Sequence, residues 1–262
     1  MTDDSKSVLD FEVGGRNVGE TLDEAIRRGS VVERPDGRLT FRRDPQARGP
    51  RDNNFVSKRG PRPRRCVYLN QFLFKQVYAE AQVPFGCHDC YKIRIVTRSL
   101  RAMLAAQAIA AATDFSCKSG PEADNPENPH LYCTYIYFYG LDEARGAYAG
   151  LREQLDAHPD LGPDVVMVIK RGCTNYEHKL GPSDRYTFDP RQEAAEAYLL
   201  ARFDEERPPR VISKAVEAQL RLMRLTRIAY RIGDETYKDF TDGKPLLPAA
   251  VTYAPEEPAA KT

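Results

Sequence analysis

Cysteine is the residue type in this chain whose spacing points most directly to chemistry. Cys87 and Cys90 frame the segment Cys87-His88-Asp89-Cys90, and a two-residue gap lets one turn carry both sulfurs to a single ion. Gly86 precedes the pair, while Cys117 and Cys173 stand in the polar stretches Cys117-Lys118-Ser119-Gly120 and Lys170-Arg171-Gly172-Cys173-Thr174. Glycine there lets the backbone approach a cluster closely. Cys87, Cys90, Cys117 and Cys173 are therefore the candidate metal ligands. Cys66 and Cys133 read as small apolar residues packed in the interior.

Gaps of 2, 26 and 55 residues separate the four. Zinc ribbons and knuckles use two close pairs, whereas single cysteines gathered from distant loops suit an iron–sulfur cluster. The expected cofactor is a 4Fe-4S cluster, with zinc as the alternative. A dithiol redox site is disfavoured, because such pairs open a helix whose N-terminus stabilises the thiolate, and here a strand follows. Lys92, Lys118, Lys170 and Arg171 lie near the candidate ligands in sequence and could offset thiolate charge. His88 and His178 read as solvent-facing; as bases they would make a catalytic-cysteine enzyme the third reading. The stripe Tyr135, Tyr137 and Tyr139 reads as packing rather than an electron relay.

Other chemistries lack their signatures. Neither the Gly-x-x-x-x-Gly-Lys-Ser/Thr loop nor Gly-x-Gly-x-x-Gly occurs, and His-Glu-x-x-His and Gly-x-Ser-x-Gly are missing, which disfavours nucleotide loops, zinc proteases and serine hydrolases.

The elements that must position these cysteines read as follows. Leu69, Phe72, Leu73 and Val77 predict an amphipathic helix over Tyr68–Gln82, ending near Pro84. Tyr91–Val96 alternates like a strand, and Ser99 is an N-cap for a helix with Leu100, Met103, Leu104, Ala108 and Ala111 on one face. Asp114–His130 reads as a long structureless connection. Leu131–Tyr139 is a strand, Asp142–Ala157 a helix, and Val165–Ile169 an apolar strand of the kind buried on both faces. Asp189-Pro190-Arg191-Gln192 opens a further helix with a capping box, and a long amphipathic helix runs from about Val211 to Arg231. This order predicts an α/β fold: a small two- or three-layer sheet of about three main strands with crossover helices.

Strand direction decides the fourth ligand. If the strand from Leu131 is parallel to the first, Cys133 joins Cys87 and Cys90; if the later strands are antiparallel to it, Cys173 does. The Gly-flanked position favours Cys173.

Arms flank the core. Residues 1–66 form a Pro/Gly/Arg-rich arm with a short hairpin, 67–233 the cysteine-containing core, and 234–262 a C-terminal arm. Arg34 to Arg65 holds eleven basic residues against three acidic ones, a net +8. The arms are expected to dock the chain onto a larger complex; the alternative is a nucleic-acid-binding module that uses residues 34–65. Overall, 262 residues carry 39 Lys+Arg against 38 Asp+Glu and 41% hydrophobic residues, which excludes a uniformly polycationic chain and wholesale disorder. No run of about 18 apolar residues predicts a membrane span, and the N-terminus lacks a secretory pattern. A cytoplasmic, reducing compartment is expected, where six cysteines serve as ligands or packing rather than disulfides.

Overall fold

A computed structural model describes residues 8–41, 54–126, 128–205, 212–248, 251 and 253. Its centre is a five-stranded sheet, β5 (Val56–Lys58), β6 (Cys90–Thr97), β7 (Ser116–Pro121), β8 (Tyr132–Tyr139) and β9 (Val166–Arg171), ordered β5-β7-β8-β6-β9. Every neighbouring pair is antiparallel. Helix α2 (Leu100–Ala112) joins β6 to β7, and α3 (Leu141–Ala157) joins β8 to β9. The sequence β6-α2-β7-β8-α3-β9 is thus a double split β-α-β arrangement of ferredoxin-like topology, a layout that carries no functional implication by itself.

The sheet is larger than the three strands expected. The missed strand β7 lies inside the stretch read as structureless, because Cys117-Lys118-Ser119-Gly120 has neither apolar alternation nor β-branched residues; its place comes from pairing with β8 on one side and β5 on the other. Strand β9 is an edge strand, with Val166 52% exposed, rather than one buried on both faces.

Both crossover helices cover one face. Ile93 and Ile95 of β6, Ile136 and Phe138 of β8 and Met167 of β9 pack with Ala106 and Ala110 of α2 and Ala144, Leu151 and Leu155 of α3. Ser99 caps α2 as expected, accepting from the Ala102 amide at 3.2 Å. Its buried stripe is Leu100, Met103, Ala106 and Ala110, whereas Ala108 is exposed. The alanine-rich sequence leaves that face weakly marked, and the sheet selects it.

A second body of core lies at the other end. Residues 8–41 form the hairpin β1 (Glu12–Val13) and β2 (Arg16–Asn17), helix α1 (Val18–Arg27), and the hairpin β3 (Val31–Glu33) and β4 (Leu39–Phe41). They pack on a segment that differs from expectation: Val67–Val77 is a π-helix, not an α-helix running to Gln82. It stops because Ala79 and Glu80 take left-handed φ of 47° and 63°, which reverses the chain. Tyr68, Leu69, Phe72, Leu73, Phe74 and Val77 are all buried, together with Ala195 and Leu199 of helix α5 (Arg191–Arg202). Half of the capping box expected at α5 forms, the Asp189 amide donating to Gln192 Oε1 at 2.9 Å, while the Asp189 carboxylate accepts from the Arg191 amide rather than from that of Gln192. Helix α6 (Lys214–Arg231) follows Ser213 and packs Leu225 and Ala229 near Leu100 and Tyr132.

Candidate functional site

The Cys87–Cys90 knuckle is a short 3-10 turn over Phe85–Cys87 leading directly into β6. Three side chains hold it. Glu196 of α5 accepts from the amides of Phe85 at 2.6 Å and Gly86 at 2.9 Å. Arg64 donates to Gly86 O, Asp89 Oδ1 and Asp89 O at 3.0, 2.7 and 3.0 Å, and lies 3.8 Å above the Tyr139 ring. Arg171 donates to His88 O at 2.8 Å. A Cβ at Gly86 would meet the Leu69 methyl at 2.6 Å, so a larger residue there would displace that side chain. The knuckle is therefore fixed before any ligand arrives.

Antiparallel pairing then brings the other cysteines in. Tyr91 faces Arg171 across β6 and β9, so the chain leaving β9 passes the knuckle, and the Gly172 amide donates to Cys90 O at 2.8 Å. Gly172 turns with φ of 65°, and Cys173 begins helix α4 (Thr174–Leu180). Cys133 is paired with Val96 at the far end of β6. The condition for choosing Cys173 over Cys133 is thereby met.

Cys117 is placed elsewhere. It pairs with Ile136 of β8, and side chains of paired residues share a face, so its sulfur lies under α2, where Gln107 donates to it at 3.7 Å. Cys90, by alternation with Ile93, points to the opposite face. The set Cys87, Cys90, Cys117 and Cys173 is thus not brought together as one cluster.

Cys66 immediately precedes the π-helix and is exposed, not packed as expected. Burial and then Cys173 push its thiol up to about 11. Cys90 is pushed up to about 12, by burial and then by Cys173, with Cys66 a further contributor. Cys87 is raised by burial, then by Cys173, Cys90 and Cys66. Cys87 and Cys90 each feel Cys173 and Cys66, and Cys66 in turn feels Cys173, so the four thiols share one electrostatic neighbourhood. Two conserving contacts frame them: Tyr176 Oη lies 3.6 Å from Cys87 Sγ, and Asn70 of the π-helix donates to Asn175 at 3.2 Å. Among the described residues, no group of three or more His, Cys, Asp or Glu side chains is arranged so that it could hold a metal ion.

Raised thiols are the reverse of what a nucleophilic cysteine needs, and Cys117 and Cys133 are raised by burial as well. His88 and His178 are both exposed, as expected.

The opposite face of the sheet from α2 and α3 leads away from the cysteines. Cross-strand pairing sets Lys92 between Lys170 and Tyr137, and Arg94 between Val168 and Tyr135, with Lys118 beyond Tyr135. Lys92 is only 5% exposed. Burial lowers its pKa, Cys173 opposes that, and Lys118 and Lys170 lower it further. Sequence reasoning read Cys66 as packing and named Lys92, Lys118 and Lys170 only as charges beside the cysteines; it missed Arg94. The one available signal for Cys66 was its arginine flank, Arg64-Arg65-Cys66, which is foreign to an apolar core.

Part of the basic arm, residues 42–53, lies outside the described residues. Of its described cations, Arg34 pairs with Asp204, Arg62 with Glu143 and Arg64 with Asp89, while Lys58 donates to the carbonyls of Ala111 and Thr113 at the end of α2; Arg59, Arg62 and Arg65 stay exposed. Much of the C-terminal arm is likewise outside them, including residues 254–262. No described helix is long and apolar enough to cross a membrane.

Comparison of the chain with protein-family models, curated proteins and solved structures finds no match.

Proposed function

We propose that this protein carries a cysteine-ligated metal centre, a 4Fe-4S cluster held by Cys66, Cys87, Cys90 and Cys173, and serves as an electron-transfer or accessory subunit of a larger complex. What supports this reading is the Gly172–Cys90 backbone hydrogen bond, which sets Cys173 beside the knuckle, together with the electrostatic influence of Cys173 on Cys66, Cys87 and Cys90. The donor set fits: four thiolates around a four-iron core leave net negative charge, and Arg64, Lys92 and Lys118 stand within electrostatic reach of these sulfurs. Loading a cluster requires the thiols to lose their protons and turn toward a common centre, and the rigid knuckle limits that adjustment to side chains. When bound, the cluster would supply one-electron chemistry; the chain's part is to shield it with Tyr176 and Tyr137 and to tune it through its cations.

The test is iron, zinc and sulfide analysis of anaerobically purified protein with its visible spectrum. About four irons and four sulfides per chain are expected, lost in Cys66→Ala and retained in Cys117→Ala. Zinc alone would replace the cluster by a structural ion, and retention of iron in Cys66→Ala with loss in Cys117→Ala would overturn this ligand set.

A further inference from the structure

The cationic row beside the cysteines is more than charge compensation requires. Lys92 and Lys170 stand directly opposite each other on β6 and β9, and like charges in that position destabilise a sheet. Lys170 is relieved by an ion pair with Glu177. Lys92 has no such partner among the described residues, and its ammonium lies 5.0 Å over the Tyr135 ring. Lys118 lies 4.8 Å over Phe55 and 5.4 Å over Tyr135, again without a carboxylate among the described residues.

Arg94 is the telling member. Its Nε is buried and finds no acceptor, although an unsatisfied buried donor is costly and uncommon in a folded protein. It faces the same side as Lys92, about 7 Å further along the strand, and is not among the leading charges on Cys66, Cys87 or Cys90. Compensation of a cluster therefore does not account for it. The carboxylate on its side of the sheet, Glu122, is committed to Tyr135 at 2.7 Å and Asn125 at 2.7 Å. The face thus presents Lys92, Arg94 and Lys118 beside one carboxylate, Glu122, with none of the three in an ion pair among the described residues.

We propose that this face is the binding site for the oxyanion group, carboxylate or phosphate, of a small molecule, with Arg94 and Lys118 gripping the anion and Lys92 lying between it and the cysteines. Arg94 offers a planar fork suited to either oxyanion, and the lysines act as point charges. The anion site stands on Arg94 and Lys118 alone. That the far end of the ligand, past Lys92, meets a metal centre rests on the reading above.

Calorimetric titration of the full chain with inorganic phosphate and with oxalate tests the site. Saturable one-site binding of at least one probe is expected, weakened about tenfold or more in Arg94→Gln and in Lys118→Gln and unchanged in Lys75→Gln, which removes an exposed lysine of the π-helix. The better-bound probe assigns the ligand as phosphate or carboxylate. Lys118→Gln, at a half-buried position, supplies the result if Arg94→Gln fails to fold. Absence of saturable binding to folded wild-type protein overturns the proposal, as does equal weakening in Lys75→Gln. Iron measured on the same samples separates the two readings: anion binding without metal sinks only the cluster, and a cluster without anion binding sinks only this site.

Discussion

Glu196 sits 6% exposed beneath the cysteine knuckle, where its carboxylate accepts from two backbone amides and from Tyr78 Oη at 2.9 Å. Glu196→Ala would leave those three donors unsatisfied, and a loss of about 3 kcal/mol or more is expected in denaturant unfolding. Burial outweighs the hydrogen bonds and raises this carboxyl above its ordinary 4.5. The folded chain therefore holds the proton more tightly than the unfolded one, and stability falls as pH rises through that window. The thiols behave alike at higher pH. Above the ordinary 9.0 the unfolded chain surrenders thiol protons that folded Cys66 keeps to about 11 and Cys90 to about 12. Metal-free protein should lose stability steadily across that interval, and alanine at both positions should flatten the profile. The same protons oppose metal, so affinity for zinc as a probe should climb with pH near neutrality, by up to about tenfold per unit for each thiol that must ionise.

Elements reveal why some positions are irreplaceable. Strand β5 reaches the sheet edge through a close approach at Gly60, where an added Cβ would stand 2.5 Å from Asp114 O and 2.8 Å from the Ser116 amide. Backbone on both sides cannot yield, so Gly60→Ala should cost about 1–3 kcal/mol and raise hydrogen exchange in β5 and β7 above that in β8. Ser99→Ala removes the α2 cap and should cost about 1 kcal/mol in thermal or denaturant unfolding. That cap, the strands around Tyr91–Val96 and Leu131–Tyr139, and the helix through Ala157 were readable locally, because capping and alternation are short-range signals. Strand β7 was not, since nothing in Ser116–Pro121 prefers a strand until β8 offers its edge. The π-helix escaped as well: apolar residues at three- and four-residue spacing look α-helical, and buried side chains as close as Phe72, Leu73 and Phe74 blur the stripe that would fix the period.

Across the molecule, the cysteine site joins the core built on the π-helix to the first turn of the sheet, for Cys87 and Cys90 belong to the cluster containing Phe72 and Leu199. A metal bound there would tie residue 66 to 173 and stabilise the folded state by mass action. Removing it with a chelator should lower the melting midpoint by at least about 5 °C, with no effect on a Cys66→Ala variant already lacking metal. Composition, the Cys87/Cys90 spacing and the periodic segments sufficed to read a mixed α/β chain with a cysteine knuckle at the entry to a strand, since each depends on neighbours within one or two turns. They even framed the choice between Cys133 and Cys173 as a question of strand direction. Which cysteines meet, which face of the sheet Cys117 takes, and that Lys92, Arg94 and Lys118 share the other face depend on pairing between residues as far apart as Tyr91 and Arg171. Register across strands is set by the packing of the entire sheet against its helices, and a one-residue slip would exchange the two faces.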